Sequence, residues 1–530
     1  MNNGAFRRTT SDPLSQIRAS SLFHCWKKCF DVSGTPRKRV VLDAAVLVLL
    51  TALALLVHGY HLGLEDEAVY LPAIKHHLDP GLYPHDSAFF LTQMKMTLYD
   101  KIVALAIQGT HLGVERFTFL AHVLSLFLIL LGCLRLSRRL FEKPEAQWAA
   151  VAMIGALFTL PVTGSALLLV DQYLHPRSYA TAFNLFAITC ILDRQPVRAF
   201  SFLLLTAAIS PLMALYGFCF AALLLFRDFW KNPFRRSNAL PAAGFAAAQD
   251  ATIWNEITRP YYYLVQWPWY ELLGVVAPLG LLFSFSFIRS GSVLPPFRLI
   301  CRRMCIFGTI FAAITLAMGT PFLERFLSIQ PMRSFHLVYL IFFLSVGGLL
   351  GEWVLKNKPL RWVLLFLPLC IGMFAAQRYQ FAASDHIEWP GMQPRNQWVQ
   401  AFHWIRENTP RDAFFALDPY CMEGNGEDFH GFRALAERSM MADMVKDPAV
   451  VSVLFTANKL MADNFEGIPG IAETWHEQVS AARNWKDFGV EDFRRLNRQF
   501  GVDWVVLAKP GISGLRCPFE NDSVMVCHAD

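Results

Sequence analysis

VVLDAAVLVLLTALALLVHGYHL, from Val40 to Leu62, decides the fold. The run is apolar for long enough to cross the roughly 30 Å hydrocarbon core of a bilayer. Residues 1–39 precede it, and it is longer than the apolar core of a secretory signal, so it reads as a retained span. On its N-terminal side stand Arg7, Arg8, Arg18, Lys27, Lys28, Arg37, Lys38 and Arg39 against two acids. Basic residues beside a first span hold that end in the cytoplasm, which makes 1–39 a cytoplasmic basic tail. On the other side the chain runs directly into Glu65-Asp66-Glu67, which this orientation places at the outer face.

Further apolar runs lie at about 116–134, 147–170, 178–193, 197–227, 268–288, 300–319, 335–355 and 361–378. Each approaches spanning length, except 178–193, which is short, and 197–227, which is long. The long run is interrupted at Ile209-Ser210-Pro211. Proline removes a backbone donor and restricts its predecessor, so two short helices are expected to meet there. Between the runs sit five basic clusters: Arg135/Arg138/Arg139/Lys143, Arg194/Arg198, Arg227/Lys231/Arg235/Arg236, Arg289/Arg298/Arg302/Arg303 and Lys356/Lys358/Arg361. The positive-inside bias places all five in the cytoplasm. Parity then requires one more crossing near Leu240–Ala248, for about 10–11 transmembrane helices in 40–384.

Composition agrees. Of 530 residues, 54% are hydrophobic and only 17% charged, against about 25% charged in soluble proteins. This excludes a disordered chain, a coiled coil and a small disulfide scaffold, and argues against an all-soluble enzyme. The basic tail gives no case for a nucleic-acid partner, because a topology signal accounts for it. From 385 onward acids exceed bases by 22 to 14, as suits an exported domain. That end reads as a soluble α/β domain outside the membrane: a helix at Asn396–Asn408 closed by Thr409-Pro410, buried strands at Ala413–Leu417 and Trp504–Leu507, and helices over 447–462, 470–484 and 489–500. Cys517 and Cys527 could bridge in an oxidising compartment. The cysteines within apolar runs, such as Cys133 and Cys301, read as small buried residues.

Residues 63–114 form the largest outer loop, with an interfacial helix expected over 98–112. It opens with Glu65-Asp66-Glu67 and continues through Tyr70, His76, His77, Asp79, His85 and Asp86. A partly desolvated carboxylate at the membrane face can act as a general base or hold a divalent ion; solvated charges marking a span end are the plainer reading. No H-E-x-x-H pattern or Cys/His pairing supports zinc here. A second constellation, Asp171-Gln172-Tyr173-Leu174-His175-Pro176-Arg177-Ser178, falls in a later outer turn. It is either a tight turn with proline opening a helix or an anion site, with His175 and Arg177 at a helix N-terminus. Arg325 and Arg333, flanking Pro331, are further candidates for a lipid phosphate, with snorkelling side chains as the alternative. The aromatic run Tyr261-Tyr262-Tyr263, Trp267, Trp269, Tyr270 reads as an interfacial belt or a sugar-stacking platform. No run of mid-span acids, P-loop, Rossmann fingerprint or nucleophile elbow occurs.

This order of parts resembles the GT-C class of polytopic membrane glycosyltransferases, such as oligosaccharyltransferases, protein O-mannosyltransferases and lipid A aminoarabinose transferases. The shared features are a basic start, a first span, an outer loop opening on acids, broken helices in the middle and a soluble end. Trp398–Pro419 (WVQAFHWIRENTPRDAFFALDP), with Pro72, Asp79-Pro80, Tyr83-Pro84 and Asp86 in the first loop and His175-Pro176 later, is most similar to uncharacterised bacterial members. The resemblance implies a multi-pass inner-membrane protein that takes a sugar from a polyprenyl-phosphate carrier to an acceptor at the outer face. It maps the catalytic acid onto Asp66 or Glu67 and a second acidic position onto Asp171. In the mechanism this suggests, Arg177, His175, Arg325 and Arg333 hold the donor phosphate, and a divalent cation such as Mg²⁺ is held by Asp66 and Asp171. No WWD-type motif occurs in the last domain, which speaks against oligosaccharide transfer. Two other readings stand beside it: a non-catalytic protein that binds or assembles lipid-linked glycans, and a transporter, for which intramembrane charges are few.

Overall fold

The first span forms helix α1 (Pro36–His58), which stops before its apolar run does. Gly59 ends it with φ +80°. A β-carbon there would lie 2.3 Å from the His386 carbonyl oxygen, so the helix stops where only glycine lets a second segment pass. The computed structural model describes residues 36–87, 91, 95, 97–225, 263–289, 291–318, 329–417, 430–441, 488–510 and 514–530.

After α1 come α2 (Glu67–Leu78), α3 (Tyr99–Thr110), α4 (Val114–Leu140), α5 (Pro144–Ala156), α6 (Pro176–Leu192), α7 (Pro196–Ile209) and α8 (Pro211–Leu225). They are followed by α9 (Trp269–Phe285), α10 (Pro295–Met318), α11 (Phe335–Leu350) and α12 (Pro359–Gln380). Proline punctuates this region: Pro144, Pro176, Pro196 and Pro359 each open a helix in its first turn, where the missing N–H costs nothing. The expected break at Ser210 is present, with α7 ending and α8 beginning on either side of it.

Among the described residues five helical stretches are long and apolar enough to cross a membrane: Val40–His58, Val114–Leu140, Pro295–Met318, Pro331–Leu355 and Pro359–Gln380. α7, α8 and α9 are apolar but shorter. The span expected near Leu240–Ala248 lies outside the described residues. α11 runs through the middle of the bundle, while Val48, Leu49 and Leu56 of α1 and Leu364, Leu367 and Ile371 of α12 are exposed. An apolar face turned outward on this scale is what a lipid environment accommodates and water does not.

One expected span is corrected. The run 147–170 is not a single helix, because α5 ends at Ala156. Pro161 then disfavours a helical residue before it, and the chain turns through a short antiparallel pair, β1 (Pro161–Val162) with β2 (Leu167–Leu168). Gly164 makes the turn at φ +50°, and a β-carbon there would fall 1.8 Å from the Trp267 ring. Trp267 is thus a buried packing residue, whereas Trp269 and Tyr270 are exposed. The polar ends of the first span are absorbed structurally: Asp43 pairs with Arg138 at 2.7 Å, and His58 bridges Thr159 and the Gly155 carbonyl.

The C-terminal region holds α13 (Gln397–Asn408), β3 (Phe414–Leu417), α14 (Phe432–Ala436), β4 (Ser439–Met440), α15 (Val490–Phe500), β5 (Trp504–Ala508), β6 (Phe519–Glu520) and β7 (Val524–His528). The helices expected at 447–462 and 470–484 lie outside the described residues. The Asn396 side chain accepts from the Trp398 and Val399 N–H groups and caps α13, which ends at Thr409 before Pro410. The mixed sheet runs β4-β3-β5-β7-β6, with β3 parallel to β4 and β5 and the β5–β7 and β7–β6 pairs antiparallel. Cys517 and Cys527 are joined in a disulfide.

Leu71 of α2 is fully buried in the same core as Trp398, Phe402, Phe415 and Val526. Lys75 Nζ reaches Glu437 at 2.6 Å and donates to the Ala434 carbonyl, and Arg433 Nε reaches Asp86 at 2.5 Å. The first outer loop is therefore built into the C-terminal core.

Candidate active site

Two short segments meet at the start of α2. Glu65 takes a left-handed conformation, φ 49°, and turns the chain so that Asp66 becomes the N-cap residue of α2. The Asp66 carboxylate makes no capping bond and stays 40% exposed. Its Oδ2 lies 3.6 Å from His175 Nε2 and 3.9 Å from Arg177 Nη2.

His175 and Arg177 stand at the N-terminus of α6, where Pro176 opens the helix. Arg177 Nη2 and Nε donate to the two oxygens of Asp171, at 2.7 and 3.2 Å. Both partners are almost fully buried. Burial acts against the guanidinium charge, but Asp171 and Asp66 outweigh it and keep Arg177 protonated. Two of the five guanidinium N–H bonds are spent on Asp171, so the fork is fixed while Nη1 keeps its donors among the described residues.

His175 Nδ1 accepts from the Arg177 backbone N–H at 3.0 Å, so the ring proton sits on Nε2, the nitrogen nearer Asp66. Burial first, then the Arg177 charge, pushes the imidazole down to about 3. The ring is therefore a neutral donor at pH 7. Tyr70 meets it edge-on at 5.1 Å, and burial pushes the tyrosine hydroxyl up to about 12. The charge of Arg333, in a short 3-10 turn at Pro331–Ser334, also acts on His175 and Tyr70. Asp66, Asp171, His175, Arg177 and Arg333 thus share one neighbourhood. Arg325 lies outside the described residues.

Glu67 faces elsewhere. It is 2% exposed, and its Oε2 accepts from the Gly63 N–H at 2.7 Å. Burial pushes its carboxyl up to about 8, against the pull of that hydrogen bond, and the nearby Glu388 adds to the rise. The other first-loop histidines and acids scatter to separate partners. His77 pairs with Asp100, His85 reaches the Asp412 carbonyl, and Asp86 holds Arg433.

Asp66 and Asp171 do not fit a divalent cation as they stand. Asp171 is already satisfied on both oxygens by Arg177, and a fixed guanidinium beside the two carboxylates opposes a second positive charge. Among the described residues the one three-ligand group suited to a divalent cation is His61, Glu388 and His430. Glu388 Oε1 lies 3.2 Å from His61 Nδ1 and 2.9 Å from His430 Nε2, and Oε2 accepts from the Leu62 N–H. Burial opposes the charge of Glu388, but His430 and His61 hold its carboxyl well below the usual range. Sequence reasoning passed over this group because 327 positions separate His61 from Glu388. The local signal available was the polar run Asp385-His386-Ile387-Glu388 just after the last apolar segment.

No known family and no curated protein matches the chain. Among solved structures, the crystal structure of the apo form of the Archaeoglobus fulgidus oligosaccharyltransferase is similar at 12% identity and a TM-score of 0.40, over 88% of this chain and 69% of that one. A likeness this distant assigns no role to any residue of the Asp66 cluster.

Proposed function

We propose that the protein is a GT-C-like glycosyltransferase of a bacterial inner membrane. It moves a sugar from a polyprenyl-phosphate carrier to an acceptor at the outer face, with the N-terminus cytoplasmic and the region from 385 extracytoplasmic. The observation that carries this reading is the half-exposed Asp66 carboxylate set 3.6 and 3.9 Å from a buried, pre-oriented His175–Arg177 pair. Such a pairing brings a carboxylate able to take a proton close to donors able to hold a phosphate, the two functions that transfer of a sugar from a phosphate draws on.

Asp66 takes the proton of the acceptor hydroxyl. The acceptor oxygen bonds to the anomeric carbon as the bond from that carbon to the phosphate oxygen breaks, and the electron pair leaves with the lipid phosphate. Arg177 Nη1, the His175 Nε2–H and Arg333 receive the negative charge, helped by the positive end of the α6 dipole. Asp171 positions Arg177. We assign the base to Asp66 in preference to Glu67, because a buried carboxyl pushed up to about 8 holds its proton at neutral pH.

Single-turnover transfer from a panel of polyprenyl-phosphate sugars to candidate acceptors, with the protein in lipid nanodiscs, tests the reading. Release of free polyprenyl phosphate by the wild type, and its loss in Asp66→Asn, is the expected result. Absence of release from every carrier, or an active and folded Asp66→Asn, refutes it.

A further inference from the structure

Three chain segments converge behind the first outer loop. The Tyr60 N–H donates to the His386 carbonyl, the Glu388 N–H donates to the Tyr60 carbonyl, and the Gly431 N–H donates to the Gly63 carbonyl. Residues 60 and 387 form a parallel bridge, and 64 and 430 an antiparallel one. These backbone bonds fix His61, Glu388 and His430 relative to one another whatever their side chains do. Both imidazoles are buried, and Glu388 is 13% exposed. His61 Nε2 is buried with no hydrogen-bond partner among the described residues.

The spacing is close to that of a coordination shell. Ligand atoms 2.0–2.2 Å from a tetrahedral zinc lie about 3.3–3.6 Å apart. Here the shared carboxylate oxygen lies 3.2 and 2.9 Å from the two imidazole nitrogens, and all three ligand atoms fall within 4.8 Å of one another. Small side-chain adjustments, with no change in the backbone bridges, bring these three atoms to the edges of such a shell. Two imidazoles and one carboxylate make a donor set for zinc rather than for magnesium or calcium, which prefer all-oxygen shells. A cavity of about 400 Å³ reaches the Glu388 side of the group, its wall including Glu388, Tyr60, Glu115, His386 and Trp389.

We propose that His61, Glu388 and His430 form a zinc site that clamps the end of the first span to the C-terminal region. The site is separate from the Asp66 cluster and does not depend on the transfer reaction proposed above. Its effect on that cluster is one of placement. The His61 N–H donates to the Gln172 carbonyl, next to Asp171, and the same short stretch leads through Gly63 to Asp66. Coordination at His61 therefore pins both acid-bearing segments from behind.

The experiment uses the full chain in nanodiscs, with any polyhistidine tag removed, stripped by chelator and equilibrated with Zn²⁺. The expected result is one zinc per chain by elemental analysis, with at least tenfold weaker binding in His61→Gln and in Glu388→Gln. Co²⁺ loaded into the wild type gives a second readout that needs no variant to fold. X-ray absorption is expected to report two imidazole nitrogens and carboxylate or water oxygen around the cobalt. Failure of the wild type to retain zinc, equal retention by both folded variants, or a cobalt shell without two imidazoles would overturn the proposal. The side chains would then be a hydrogen-bonded triad in which two imidazoles share the Glu388 carboxylate.

Discussion

Replacing Glu67 by glutamine separates the two neighbouring acids that open the first outer loop. Glu67 is 2% exposed and held by the Gly63 N–H, and its carboxyl rises from 4.5 to about 8, chiefly through burial. A folded-state value above the unfolded one means that the folded state binds the proton more tightly. Stability is then complete below about pH 4.5 and falls as pH rises through 8, where the loss levels off. Each pH unit is worth about 1.4 kcal/mol, so the interval from 4.5 to 8 corresponds to roughly 5 kcal/mol, and the part of it below pH 7 to roughly 3 kcal/mol. Glutamine keeps the same shape, and its carbonyl accepts the Gly63 N–H without needing a proton. Glu67→Gln is therefore expected to match the wild type near pH 5 and to exceed it by roughly 3 kcal/mol at pH 7. Unfolding of the chelator-stripped protein, measured by tryptophan fluorescence in nanodiscs across this range, gives the gap. The infrared band of a protonated carboxyl, present in the wild type at pH 7 and absent in the variant, identifies the group. Parallel stability curves from pH 5 to 9, with no such band, would refute the argument that burial keeps Glu67 neutral.

Asp66→Asn should lower single-turnover transfer by about 10²–10⁴-fold, the usual worth of a positioned base, with the thermal unfolding profile unchanged. Arg177→Met leaves Asp171 charged and buried at 4% exposure, a loss of about 3–5 kcal/mol. Pairing it with Asp171→Leu should recover most of that loss in the same unfolding assay. Gly164→Ala puts a methyl group 1.8 Å from the Trp267 ring at a left-handed position, a cost of roughly 2–4 kcal/mol. The double variant with Trp267→Ala should be less destabilised than the sum of the two single changes.

What could be read from the chain divides by the range of the physics involved. The prolines opening α5, α6, α7 and α12 act on their immediate neighbours, and so does the Ser210-Pro211 break. Those boundaries are written locally; the Pro176 start and the Ser210-Pro211 break appear where the sequence places them, while Pro144, Pro196 and Pro359 open their helices one to three residues before the apolar runs begin. Hydropathy over 147–170 is also local, but it averages across Pro161 and Gly164 and so hides a turn inside an apolar run. The Asp171–His175–Arg177 group could be recognised because its members lie close together in the chain, and a helix start gathers them. What brings Asp66 to them is tertiary: a left-handed Glu65 and the docking of α2 on the C-terminal core through Leu71 and Lys75. The difference between Asp66 and Glu67 is of this second kind. Both are acids, adjacent in sequence, and only the surroundings leave one carboxylate partly in water and bury the other against Gly63. The His61, Glu388 and His430 group is the extreme case. Its members come from the end of the first span, the chain after the last span and the C-terminal region, and a local pattern carries no information about such a meeting. The backbone bridges that align them are what bring the ligand atoms of three ordinary side chains within 4.8 Å of one another. The same bridges run through residues 60–64 to Asp66, so the segment that would hold the proposed metal and the segment that carries the proposed base are one stretch of chain, and loosening one end of it is expected to displace the other.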